Sequence, residues 1–210
     1  GENVLLVYGQ GSVKKNNAYN DVINQLRIAN KKIFEYSGIK SNPVINDVND
    51  AAAICKKNNI NFIIAVGGGS VIDSAKIISL AAVHDIDAWD IVSYKTKPIK
   101  NIPLIAVLTL AATGTEMNGT AVIQNNLTKE KIGFKNKLIY PQHSFLDPSY
   151  TLSVPKNYTA YGIVDIISHV LEAFFGYGDA SLSDRFAVSV IKETIEYGKL
   201  LINDLTNYNY

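Results

Sequence analysis

Two stretches of the chain combine residue types and spacings that can do chemistry. Gly67-Gly68-Gly69-Ser70 lies between the apolar run Asn61–Val66 and a helical pattern through Asp73, Ala75, Lys76 and Leu80. Such a junction offers backbone N–H groups and the positive end of a helix dipole to a phosphate. Glycines matter there because a side chain would hold a pyrophosphate away from the backbone. A plain flexible turn is the competing explanation, and three glycines in this setting argue against it. The stretch is not the G-x-G-x-x-G fingerprint; Gly9-Gln10-Gly11 has its first two glycines but Lys14 in place of the third.

The second stretch is Asp165 and His169, four residues apart on a predicted helix and therefore on one face. A carboxylate and an imidazole at that spacing can share a divalent metal. The same spacing also suits a surface pair that stabilises the helix by a few tenths of a kcal/mol, and on spacing alone that plainer reading wins. His169 and Glu172 do not form H-E-x-x-H. His84 and His143 share no spacing with Asp165 and read as surface or capping residues. Thr109-Leu110-Ala111-Ala112-Thr113-Gly114-Thr115-Glu116-Met117-Asn118 can bring hydroxyls to a ligand, but by itself it is an ordinary polar loop.

The elements that must position these residues alternate between strand and helix, which argues for a mostly parallel sheet covered on both faces. Strands are expected at Val4–Tyr8, Lys32–Tyr36, Asn61–Val66 and Pro103–Thr109, with a short one at Ser144–Leu146. Helices are expected at about Asn17–Ala29 and Asp47–Lys57, and after Gly69. Thr120–Asn125 and Lys131–Phe134 read as an antiparallel excursion. Beyond Pro155 only helices are expected, around Ala160–Phe175 and Leu182–Leu201. The boundary divides an α/β domain, 1–153, from the beginning of a helical one, 154–210.

Composition removes other classes. The 210 residues carry a net charge of +1 and are 47% apolar and 19% charged, which is ordinary for a globular protein. Nothing in that balance favours nucleic acid or an anionic membrane as partner. A single cysteine, Cys55, excludes an intrachain disulfide and suits a reducing, cytoplasmic setting. No apolar run approaches the ~18 residues of a membrane span.

Five segments in order resemble the iron-containing alcohol dehydrogenases, and most of all their NADPH-dependent butanol dehydrogenase branch. They are VLLVYGQGSVKKN, AVGGGSVIDSAK, LTLAATGTEMNG, KIGF with the following YP and FLDPSYT, and TAYGIVDIISHVLEAFF. The resemblance implies a dinucleotide-binding domain followed by an all-helical metal-binding domain, a dehydroquinate synthase-like fold. It places Gly68, Gly69 and Ser70 on the pyrophosphate and Asp73 beside the nicotinamide end. Thr109, Thr113 and Asn118 fall on a cofactor loop, where Leu110 replaces a polar residue. Asn42 falls near the adenosine, Lys131 at the ribose, and Asp165 and His169 on the first two metal ligands. The family completes its metal site with two histidines further along, and none follows His169 here. Both ends read as cuts through something larger, so the chain is expected to be a fragment without full activity alone.

The implied reaction moves hydride between a nicotinamide cofactor and a small alcohol or aldehyde, with the metal acting as Lewis acid. Asp and His suit Fe2+ and would also hold Zn2+, so iron comes from the resemblance. NADP is favoured over NAD by the turn after the first strand. No carboxylate there would repel a 2′-phosphate: Gly9 stands where NAD enzymes place an acid, and Ser12 can donate to the phosphate. A glycerol dehydrogenase or dehydroquinate synthase-like enzyme of the same fold, and a non-catalytic nucleotide-binding module, remain as alternatives. The sequence leaves association with further copies of itself open.

Overall fold

The computed structural model describes residues 1–207. Its elements are β1 (Asn3–Tyr8), α1 (Ser12–Lys15), α2 (Ala18–Ile28), β2 (Lys32–Tyr36), α3 (Ile45–Lys57), β3 (Phe62–Gly67) and α4 (Gly69–Ala81). There follow α5 (Ala88–Val92), β4 (Leu104–Leu108), β5 (Thr120–Asn125), β6 (Glu130–Lys135), β7 (His143–Phe145), α6 (Lys156–Phe174) and α7 (Ser181–Asn203). Every strand and long helix expected from the sequence is present, with ends shifted by a few residues. The short helices α1 and α5 were not expected, since four or five residues carry too little periodicity to reveal a helix.

Five strands form one parallel sheet in the order β2-β1-β3-β4-β7. The strands β1 and β3 are continuous apolar runs because both their faces are covered. Leu5, Val7, Ile63 and Ala65 pack with α3 and α4, whereas Val4, Leu6, Tyr8, Ile64 and Val66 pack with Ile23 and Leu26 of α2. The antiparallel hairpin β5–β6 stands apart from this sheet. It leans on the loop before α3, where the Gln124 amide donates to the Pro43 carbonyl at 2.9 Å.

Helix α4 is the hub of the α/β part. Buried residues occupy all of its sides, including Ile72, Ala75, Lys76, Ile77, Ile78 and Leu80. A helix apolar all round must be enclosed, and this one lies among β3, α3, α5 and the β5 hairpin. Beyond β7 the described residues hold only helical elements, and α6 and α7 pack on each other. Among the described residues no helix is long and apolar enough to cross a membrane.

Candidate active site at the carboxyl edge of the sheet

The strand order reverses at β1. The chain leaves β1 toward β2 on one side, then returns to place β3 on the other. Loops leaving the carboxyl ends of β1 and β3 therefore diverge and open a crevice, the usual ligand position in open α/β sheets. Gly9 follows β1 and Gly68 follows β3, and Val71 of α4 lies between the two turns. A Cβ built on Gly9 would be 3.8 Å from a Val71 methyl, and one on Gly67 would be 2.6 Å from it.

Each glycine of the Gly67–Gly69 run has a distinct packing reason. Gly67 lets the first turn of α4 close onto β3. Gly68 and Gly69 admit the loop after β4, since their built Cβ atoms would lie 3.4 Å from Leu110 and 3.0 Å from the Thr113 hydroxyl oxygen. Gly68 is the N-cap of α4 and no side chain caps it. Thr109 is buried, and its amide donates to the Gly67 carbonyl at 3.1 Å. Gly68, Gly69, Ser70, Thr109 and Thr113 thus meet at one edge, with Leu110 as their apolar contact.

Beneath that edge the structure contains a charged cluster that sequence reading did not single out. Lys76 is fully buried, and its ammonium donates to Thr115 O at 2.6 Å, Thr120 O at 2.7 Å, Thr115 Oγ1 at 2.8 Å and Asn118 Oδ1 at 3.1 Å. The Thr115 hydroxyl in turn donates to Asp73, whose second oxygen accepts from the Val122 amide at 2.8 Å. Burial pushes Lys76 down to about 8 and raises Asp73, while each charge partly restores the other. Asp73 and Asn118, expected from the resemblance to meet the cofactor, have their side chains engaged inside the protein. Asn118 Oδ1 also accepts from the Thr120 amide at 2.9 Å, and its Nδ2 donates to Gly114 O at 3.2 Å. The signal for Lys76 was present in the sequence: a lysine within the otherwise small and apolar run Ala75–Ala82 must find partners indoors.

Asn42 and Lys131 are distant in sequence and adjacent in space. The Lys131 ammonium donates to Asn42 Oδ1 at 2.9 Å, because the β5 hairpin rests on the loop containing Asn42. Both are exposed. Ser12 opens α1 and is exposed beside Gly11, whose φ of 128° favours glycine. His84 caps locally, as its spacing implied. Its Nε2 accepts from the Ile99 amide, so Nδ1 carries the proton and donates to Leu80 O.

The metal-type pair stands on α6, which crosses the loop after β4 at Gly162. A Cβ on Gly162 would lie 2.7 Å from the Ala111 carbonyl oxygen, so glycine permits the crossing. Asp165 and His169 follow at i+3 and i+7, on the same stripe and about 4.5 and 10.5 Å further along the axis. His169 Nε2 lies 3.7 Å from Asp165 Oδ1, and its Nδ1 lies 3.7 Å from Glu172 Oε2. Two ligands of one tetrahedral ion at bond lengths near 2.1 Å stand about 3.4 Å apart, so the pair fits a shared metal. Both side chains are about half exposed. Among the described residues no group of three His, Cys, Asp or Glu side chains could hold a metal ion. An apolar cavity of about 410 Å³ lies between the sheet edge and α6–α7, lined by residues including Leu108, Leu110, Leu146, Ile163, Ile166 and Leu201. Ile166 lines it, while Asp165 and His169 do not.

Known proteins share this fold. The model of the family described as iron-containing alcohol dehydrogenase matches residues 1–148. The chain is 50% identical over 209 residues to a probable NADH-dependent butanol dehydrogenase of Bacillus subtilis, covering 99% of this chain and 54% of that protein. It is 37% identical to an NADPH-dependent aldehyde reductase of Escherichia coli, covering 98% of this chain and 54% of that protein. The crystal structure of an NADH-dependent butanol dehydrogenase from Thermotoga maritima superposes with a TM-score of 0.96 at 41% identity, over 99% of this chain and 52% of that one. The chain spans about half the length of the curated relatives it matches. On the match of residues 1–148, the chain belongs to the iron-containing alcohol dehydrogenase family.

Proposed function

We propose that this chain provides the cofactor-binding part and two metal ligands of an oxidoreductase that moves hydride between NADPH and a small aldehyde or primary alcohol. The observation that carries the reading is the meeting, at one sheet edge, of the Gly68–Ser70 turn, the Thr109–Thr113 loop and helix α6. In this reading the amides at the start of α4 receive the pyrophosphate, where the helix dipole favours negative charge. Lys131 reaches the ribose, Asn42 lies near the adenosine, and Ser12 donates to the 2′-phosphate. Leu108, Leu110, Leu146 and Ile163 make the neighbouring cavity dry and suited to a short alkyl chain. Asp165 and His169 would hold the metal, iron by family, which supplies Lewis-acid polarisation of the substrate oxygen when bound.

The names of the relatives divide between NADH and NADPH, so the choice of NADPH rests on the Gly9–Ser12 turn. Residues 154–210 read as the opening of a helical domain. Their exposed Tyr161, Val164, Phe175, Leu182 and Phe186 are an apolar surface that one helix pair cannot bury. The test is reduction of a short aldehyde by the iron-loaded intact protein with each cofactor. Turnover with a higher kcat/KM for NADPH supports the reading, and no turnover with either cofactor overturns it.

A further inference from the structure

The turn after β1 adjoins a cluster that the site described above does not use. Tyr8, the last residue of β1, donates its hydroxyl to Glu35 Oε2 at 2.7 Å. Tyr19 of α2 donates to both oxygens of the same carboxylate at 3.1 Å. The two rings meet edge to face with centroids 5.3 Å apart. The Lys14 ammonium stands over both, 5.5 Å from the Tyr8 centroid and 4.9 Å from that of Tyr19. Glu35 lies on the edge strand β2 and is exposed, and the two phenols hold its carboxylate.

In enzymes with the G-x-G-x-x-G turn an acid near the end of the second strand, about 20 residues beyond the glycines, accepts from the ribose 2′-hydroxyl and repels a 2′-phosphate. This chain lacks that turn and has Gly9 after β1, yet it carries a carboxylate at the corresponding place on β2, a second position to be kept from the phosphate. Glu35 is the one carboxylate in β2 and follows Gly11 by 24 positions (35 − 11). We propose that Tyr8 and Tyr19 form a clasp that withdraws Glu35 from the ribose, leaving Lys14 as the charge available to a 2′-phosphate. The clasp thereby sets selectivity between phosphorylated and unphosphorylated cofactor. Burial and the adjoining carboxylate raise both phenols, so they remain donors across the physiological range. The contacts that hold Lys14 over the rings are weak beside a charge-assisted bond to phosphate, so the amine is free to exchange one for the other.

This inference rests on the NADPH reading of the Gly9–Ser12 turn, and the experiment separates the two. Dissociation constants for NADPH and NADH are measured by fluorescence titration of the intact protein and of three variants. Tyr8→Phe/Tyr19→Phe keeps both rings and frees Glu35; the NADPH preference should fall about tenfold, the size of one like-charge contact in a partly screened site. Adding Glu35→Gln to that double variant should restore it, which a merely structural lesion would not. Lys14→Gln should weaken NADPH about tenfold and leave NADH unchanged. If the wild type binds NADH at least as tightly as NADPH, the cofactor reading itself fails. A wild type that prefers NADPH, with its preference unmoved by the tyrosine variant or not restored by Glu35→Gln, overturns the clasp alone.

Discussion

Replacing Lys76 by Met is the most informative single perturbation of the architecture. Met keeps most of the side-chain volume, so packing around α4 changes little. What disappears is an ammonium shared by Thr115 O, Thr120 O, Thr115 Oγ1 and Asn118 Oδ1. Asp73 keeps its bonds from Thr115 and Val122 but loses the cation beside it. Breaking a buried pair by removing one partner costs about 3–5 kcal/mol, a large share of a domain stability of about 5–15 kcal/mol. Urea unfolding at pH 7 measures it directly, and Asp73→Asn in the same chain should return part of the loss. The pH dependence has a definite sign. The folded chain releases the Lys76 proton near 8, while the unfolded chain holds it until its ordinary value of 10.5. Between these values the unfolded state binds more protons, so this group makes stability rise with pH, by about 2 kcal/mol from pH 8 to 10. The Met variant should lack that rise. A loss below 1 kcal/mol at pH 7, or an unchanged pH slope, refutes the account of Lys76 as a buried charge binding α4 to the loop above it.

Two further substitutions probe the edge. Gly9→Asp should weaken NADPH by about 1–3 kcal/mol by setting a carboxylate against the 2′-phosphate. The new Cβ has ordinary contacts at 3.6 and 3.8 Å, so unfolding stability should stay nearly constant while the dissociation constant rises. Gly162→Ala drives a methyl to 2.7 Å from the Ala111 carbonyl oxygen and should cost on the order of 1–3 kcal/mol as α6 is lifted from the loop. Thermal unfolding checks it, and cofactor affinity should fall with stability.

The legible parts of the molecule were those written in local pattern. Val4–Tyr8 and Asn61–Val66 announced buried strands because both faces are covered, and Gly67–Ser70 announced a strand-to-helix junction by its composition. The i,i+4 spacing of Asp165 and His169 put them on one face, which the 3.7 Å separation matches. What stayed hidden depends on chain segments that meet only in the fold. The Asn42–Lys131 contact joins residues 89 apart, and the Tyr8–Glu35 bond joins neighbouring strands. Gly162 reads as an ordinary helix glycine until Ala111 is seen against it. The motif places Asp73 beside the cofactor, and its oxygens also accept from Thr115 and Val122, a use that no local pattern encodes.

The central claim is that Asp165 and His169 are metal ligands placed by α6 beside the cofactor edge. Elemental analysis of the purified intact protein, compared with Asp165→Ala and His169→Ala, tests it most directly. A protein ligand lost from a site of about four costs most of the affinity, so the wild type should retain near-stoichiometric metal and both variants little. Aldehyde reduction should fall with the metal, while NADPH binding at the sheet edge should persist. Full metal and full activity in both variants would contradict the account and leave the pair as a helix-surface contact.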